Sequence, residues 1–339
     1  MARGRGRSRS AFRGAGAVLL GLLLAGGLPA AAGAEDTVAF TIGDRRITES
    51  SGLAGDVANG LYWTVNDSGD GGTVYGLEED GRLRGTLNFR AQPTDVEALA
   101  VAGNRLYVAD IGDNGAVREQ VSVYFLTNPR ATGLTVTYNS FDFRYEDGAH
   151  DAETLLVDPD GRLLVVTKGA QGGVYRAPQA PSRSSTNELR RVGDAPALVT
   201  DGVFLPDGRI ALLTYGSVEV LDGDTYAPVS STPIPRQPQA ESLAVSLDGT
   251  SLLVGSEGRR SRVYALPLPG AGGEAAPAPT STGAPSDDTT PVDPGEDPDA
   301  AAEEDPGPSA GRRGTLLAVG LAAVVAVVAG VVVGVVRSP

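Results

Sequence analysis

Five short, similar segments recur along the middle of this chain, and their spacing restricts it to one kind of architecture. SSGLA (50–54), VEALA (96–100), AETLL (152–156), TDGVF (200–204) and AESLA (240–244) each open a unit that continues through a turn into an apolar LY- or LL-type strand. With 51, 97, 153, 201 and 241 taken as equivalent, successive units start 40 to 56 residues apart, the length of one small four-stranded sheet in a radial repeat. A sheet of that size cannot bury both faces alone, so the units must stack on one another.

Between the repeat starts the apolar residues fall in runs of strand length. LYWTV (61–65), RLYVAD (105–110), VSVYFL (121–126), RLLVVT (162–167), IALLTY (210–215) and SLLVGS (251–256) are separated by Asp-Gly, Asn-Gly and Pro turns, with no long helical period. The class is all-β, and the repeat makes it a β-propeller. The first four units carry four apolar runs each, whereas the fifth stops after RVYALPL, one strand short. TVAFTIG (37–43) precedes the first unit and supplies that strand, which closes the ring and removes an open sheet edge. Five blades follow, or six if the long second unit divides at TVTYNSFDFRY (135–145).

The two ends carry other signals. Residues 1–14 hold five arginines and no acid, 15–28 are apolar, and Ala32-Gly33-Ala34 is an A-x-A cleavage pattern, so 1–34 reads as a signal peptide. Residues 315–336 are uncharged over 22 positions, long enough as a helix to cross roughly 30 Å of hydrocarbon. Arg312 and Arg313 before the span outnumber Arg337 after it, against the positive-inside rule. The cleaved leader nevertheless commits the N-terminal side to export and leaves 337–339 as a cytoplasmic tail. The segment 270–314 is rich in Pro, Ala, Gly and acids, a composition that does not fold and reads as a disordered tether. The expected protein is thus a single-pass membrane protein with an extracellular propeller, 35–269. It has no cysteine, so nothing cross-links the exported domain.

In a propeller the innermost strands start on the face where the second strands end, so the repeat starts share one mouth. They bring Ser51, Glu97, Glu153, Asp201 and Glu241 to the axis, with Glu49, Asp95 and Asp151 beside them. The adjoining loops add Asn66, Asp67, Asp110, Asp113, Asn114, Lys168, Tyr215 and Glu257. Carboxylates crowded on a narrow axis must bind a cation, take up protons or stay wet. Oxygen-only donors favour Ca²⁺ or Mg²⁺ over zinc, since the chain has no Cys and one His. The alternative is that these acids cap turns and bridge neighbouring units.

The series Ser51, Glu97, Glu153, Asp201, Glu241, within SSGLA, VEALAV, AETLLV and AESLAV, resembles the five-bladed propeller of the calcium-activated nucleotidases, the apyrases. That resemblance implies a central Ca²⁺ held by one Ser or Glu per blade; Asp201 departs from the Ser expected in the fourth. LYVADIGDN (106–114) is similar to a motif of uncharacterised exported bacterial propellers, which implies fold and no activity. Asn66-x-Ser68-x-Asp70-Gly71 begins like a calcium loop but has Leu77 where an EF-hand needs Glu, so it reads as a hairpin turn. His150 and Lys168, the sole histidine and lysine, are the weak catalytic candidates. A net charge of −14 argues against nucleic acid as a partner.

The main functional reading is a membrane-anchored binding or scaffolding module with Ca²⁺ on its axis, contacting a cell-wall polymer, a protein or a small molecule. The alternative is a calcium-dependent hydrolase of phosphate esters, nucleotide or phytate-like, or of lactones.

Overall fold

The computed structural model describes residues 37–270, and every regular element among them is a strand. The expected leader (1–34), the tether from residue 271, the span (315–336) and the tail (337–339) lie outside the described residues.

The chain opens with β1 (Thr37–Thr41). The first unit is β2 (Ser50–Asp56), β3 (Leu61–Asn66), β4 (Thr73–Leu77) and β5 (Leu83–Phe89). The second is β6 (Val96–Ala102), β7 (Arg105–Asp110) and β8 (Val121–Thr127), then the two-residue β9 (Thr135–Val136) and β10 (Asn139–Tyr145). The third is β11 (Ala152–Val157), β12 (Leu163–Thr167), β13 (Gly172–Arg176) and β14 (Asn187–Ala195). The fourth is β15 (Val199–Phe204), β16 (Ile210–Thr214), β17 (Ser217–Leu221) and β18 (Pro228–Pro233). The last is β19 (Ala240–Val245), β20 (Ser251–Ser256) and β21 (Arg262–Pro267). Within each unit the strands pair antiparallel in chain order, except that β9 is skipped and β8 pairs with β10, and β1 pairs antiparallel with β21 to complete the fifth. The segment 37–43 therefore does supply the strand that the fifth unit lacks.

Burial explains the two kinds of run seen in the sequence. β3 and β12 are buried at every position, so LYWTVN and LLVVT are continuous rather than alternating. β10, towards the outside, alternates buried Phe141, Phe143 and Tyr145 with more exposed residues. The innermost strands β2, β6, β11, β15 and β19 pack side by side, and the series closes with β19 against β2. Five hydrophobic clusters fill the junctions between successive units, which gives the sheets their propeller-like arrangement. Trp63 is fully buried in the cluster between the first and second units and donates its indole N–H to Asp56 Oδ2 at 3.0 Å.

The extra length of the second unit does not form a separate sheet. β9 adds in parallel to β5 of the first unit, while β10 pairs with β8 on one side and runs parallel to β14 of the third on the other. The same segment thus staples three units together at the perimeter. On the axis, the later halves of the inner strands line a cavity of about 160 Å³ with apolar residues such as Leu53, Leu99, Leu155 and Val203. The earlier halves bring the polar residues to the other end.

Candidate functional site: the acidic axial mouth

Each inner strand carries a β-bulge at its mouth end. The ladder is regular at Val96↔Asp110, Ala152↔Thr167, Val199↔Thr214 and Ala240↔Ser256, then slips before Ala98, Thr154, Asp201 and Ser242. The bulged residues are Glu97, Glu153, Thr200 and Glu241, and Ser51 occupies the matching place in β2, where the slip falls between Ser51 and Ala54. A bulge re-aims one side chain out of the pleat, so it is the device that turns these residues to the axis.

This register corrects the sequence alignment of the fourth unit. The residue equivalent to Glu97 is Thr200, not Asp201. Thr200 Oγ1 donates to Ala240 O at 2.7 Å, much as Ser51 Oγ donates to Glu97 O at 2.9 Å. Two units thus offer a hydroxyl and three a glutamate. Asp201, one position on, accepts the N–H of Gly202 at 2.8 Å and of Leu243 at 2.6 Å, tying the fourth inner strand to the fifth. Burial pushes the Asp201 carboxyl well above the usual carboxylate range, although these amides oppose it.

The remaining acids stand mostly in hydrogen-bonded pairs. Glu97 is 6% exposed. Its burial, reinforced by the charges of Glu153, Asp95 and Glu241, pushes it up to about 10. Its neighbour Asp95, to which it is hydrogen-bonded, is also raised, chiefly by burial. Glu241 accepts Gln239 Nε2 at 2.6 Å and is bonded to Glu257, which burial and that bond push up to about 9. Glu49, bonded to Asp67, is pushed up to about 7 chiefly by that bond. In each pair the burial and the neighbouring acid favour the protonated form of the raised member. Glu153 instead faces Lys168 Nζ in an ion pair. Burial pushes Glu153 up to about 7 against the pull of Lys168. Burial opposes the Lys168 ammonium too, but the charge of Glu153 outweighs it and holds the amine above its usual range. Lys168 also lies 5.4 Å from the centre of the Tyr215 ring. Tyr215 and Leu198, which flank the Val199↔Thr214 pair, are exposed.

The other mouth residues hold loops. Asp110 accepts the N–H groups of Thr94 and Asp95, both at 3.1 Å, and pairs with Arg118 at 2.9 Å. Arg118 also donates to Gly112 O at 2.7 Å, and its own N–H goes to Asp113 Oδ2 at 2.7 Å. The Asp113 N–H reaches Asp151 Oδ1 of the third unit at 2.7 Å, while Asn114 is exposed at the loop tip. A Cβ on Gly112 would stand 2.5 Å from Asp95 Oδ2 and 2.7 Å from Glu97 Oε1. The IGDN run is therefore the loop whose backbone passes directly over the axial acids. Asn66 Oδ1 accepts the N–H groups of Thr48 and Glu49, each at 3.0 Å, and its Nδ2 donates to Asp70, which also accepts Tyr75 OH at 2.6 Å; the hairpin reading of 66–71 holds. His150 is turned away to Asp147 Oδ1 at 2.8 Å and Tyr175 OH at 2.9 Å, at the junction of the second and third units.

The donor set is chemically suited to a hard cation, and in this arrangement its acids are turned towards one another rather than towards a common point. Among the described residues no three His, Cys, Asp or Glu side chains converge so as to hold a metal ion. The carboxyls are instead engaged with one another, with Lys168 and, at Asp201, with backbone amides.

The chain matches no protein-family model and no curated protein. Among solved structures it is similar to a gluconolactonase from Xanthomonas campestris, at 16% identity over 68% of this chain and 89% of that one, with a TM-score of 0.43. It is also similar to a luciferin-regenerating enzyme, at 12% identity over 68% and 94% with a TM-score of 0.39. A calcium-binding regucalcin from Agrobacterium tumefaciens gives 16% identity over 68% and 94%, with a TM-score of 0.40. No activity or ligand passes to this chain from likenesses of this strength, and none of the three is an apyrase.

Proposed function

We propose that the protein is a five-bladed β-propeller that acts as a binding module, displayed outside the cell membrane on its acidic tether and C-terminal helix, and that its axial mouth receives a cation. The carrying observation is Glu97, a desolvated carboxyl with two further glutamates beside it and no base of its own. A mouth in which protons stand in for counter-ions takes up a cation when those protons leave. Ca²⁺ is the metal that an oxygen-only set would accept, provided that the acid pairs open to reach it.

The test is thermal unfolding of the full chain in excess Ca²⁺ and in chelator. A ligand of the folded state at a hundred times its dissociation constant adds about 2.7 kcal/mol, so the midpoint rises measurably. The rise is expected to vanish in Glu97→Gln, Glu241→Gln; an unchanged midpoint in the parent chain rules out calcium.

One observation favours the hydrolase reading. Glu153, held near 7 beside Lys168, is poised to exchange a proton at neutral pH, as a general acid–base group must be. On that reading the chain hydrolyses a phosphate ester or a lactone, and turnover of nucleotide, phytate or lactone that is lost in Glu153→Gln is the observation to seek.

A further inference from the structure

The face opposite the mouth holds a different kind of cavity. Between the third and fourth units a cleft of about 420 Å³ is walled by the turns that follow β11, β15 and β17. This is within the size range of small-molecule sites. Its lining is polar and mixed in sign, with five aspartates against three arginines, beside the rings of Phe204 and Tyr226.

Two of the arginines have no ion pair among the described residues. Arg162 spends its guanidinium on the neutral Gln179 Oε1. Arg176 donates one N–H to Tyr226 OH at 2.6 Å, its guanidinium carbon stands 5.8 Å from that ring's centre, and its buried Nε–H has no partner. Among the described residues neither has a carboxylate within ion-pair distance, although Asp160 and Asp224 stand exposed in the same lining. The wall is also held under strain. Tyr226 sits at φ 60, a conformation that bulky residues avoid, with its N–H bonded to Asp222 O at 2.9 Å. That backbone fixes its ring between Arg176 and Gly193, where a Cβ would meet it at 2.8 Å.

The charges choose the ligand. An anion would meet more carboxylates than guanidiniums, and a cation would meet two unpaired arginines. A neutral ligand rich in hydroxyls satisfies both, accepting from Arg162 and Arg176, donating to Asp160 and Asp224, and laying its C–H face on Tyr226 or Phe204. We propose that this cleft is a second binding site, separate from the axial mouth, that takes a saccharide unit.

The full chain is to be tested by saturation-transfer NMR against cellobiose and N-acetylglucosamine, with glucuronate and glucosamine as the charged comparisons. Transfer to a neutral sugar is expected, weakened about tenfold in Arg176→Met, as befits loss of a charged donor, and reduced in Asp224→Asn. Asp224 is exposed, so its variant folds and keeps the test sound if Arg176→Met does not. Absence of transfer to either neutral sugar, survival of transfer in both cleft variants, or preference for a charged sugar overturns the proposal.

Discussion

Asp201 holds its carboxyl between the amides of Gly202 and Leu243, and that position determines what its replacement costs. Asp201→Ala orphans two buried N–H groups at about 1–3 kcal/mol each, so the denaturation midpoint in urea falls by the equivalent of several kcal/mol at constant m. Asp201→Asn keeps one acceptor and loses less; equal losses in the two variants would show that the amide bonds do not hold the strand. The neighbouring Thr200 shows where single residues were legible and where they were not. That one acid or hydroxyl per unit meets on the axis could be read from the repeat. Which residue of Val199-Thr200-Asp201 does so depends on a bulge, and a bulge leaves no mark in composition or periodicity. The only available hint was the hydroxyl itself, matching Ser51. The Glu241–Glu257 pair was equally hidden, because Glu241 stands on β19 and Glu257 in the loop after β20, and they meet only when the sheet forms.

β1 is the element on which closure of the ring depends, since it covers the outer edge of β21. Deletion of 37–41 exposes that edge and uncovers part of the cluster around Phe40 and Ile42. The truncated chain is expected to lose its single cooperative transition and to associate at micromolar concentration, measured by light scattering; a monomer with an unchanged melt would refute this role. That strand was visible in the sequence because the fifth unit came up one short. β9 and β10 were visible as apolar alternation, but their partners were not. Both form parallel pairs with strands of other units, and no local turn sets a parallel register.

Across the whole molecule the raised carboxyls make stability depend on pH with a definite sign. Glu49, Glu97, Glu153 and Glu257 have folded values of about 7, 10, 7 and 9, all above the ordinary 4.5. The folded state therefore binds more protons than the unfolded one between pH 4.5 and about 10, and stability falls as pH rises through that window. Acids held below their ordinary value, such as Asp44 and Asp207 beside their arginines, act in the opposite sense and only at lower pH. The melting midpoint is expected to drop from pH 5.5 to pH 9, and to drop less in Glu97→Gln; a midpoint that is flat or rises over that range contradicts the assignment.

A cation entering this mouth must displace the protons that the acid pairs hold, because metal binding to protonated ligands releases them. The most direct measurement is therefore proton release on adding Ca²⁺ to the full chain in weak buffer near pH 7, followed with a pH indicator. A saturable release that disappears in Glu97→Gln, Glu241→Gln is the predicted result. Saturable Ca²⁺ binding without proton release, or release that the double variant leaves intact, would place the ion elsewhere and remove the axial mouth as the site.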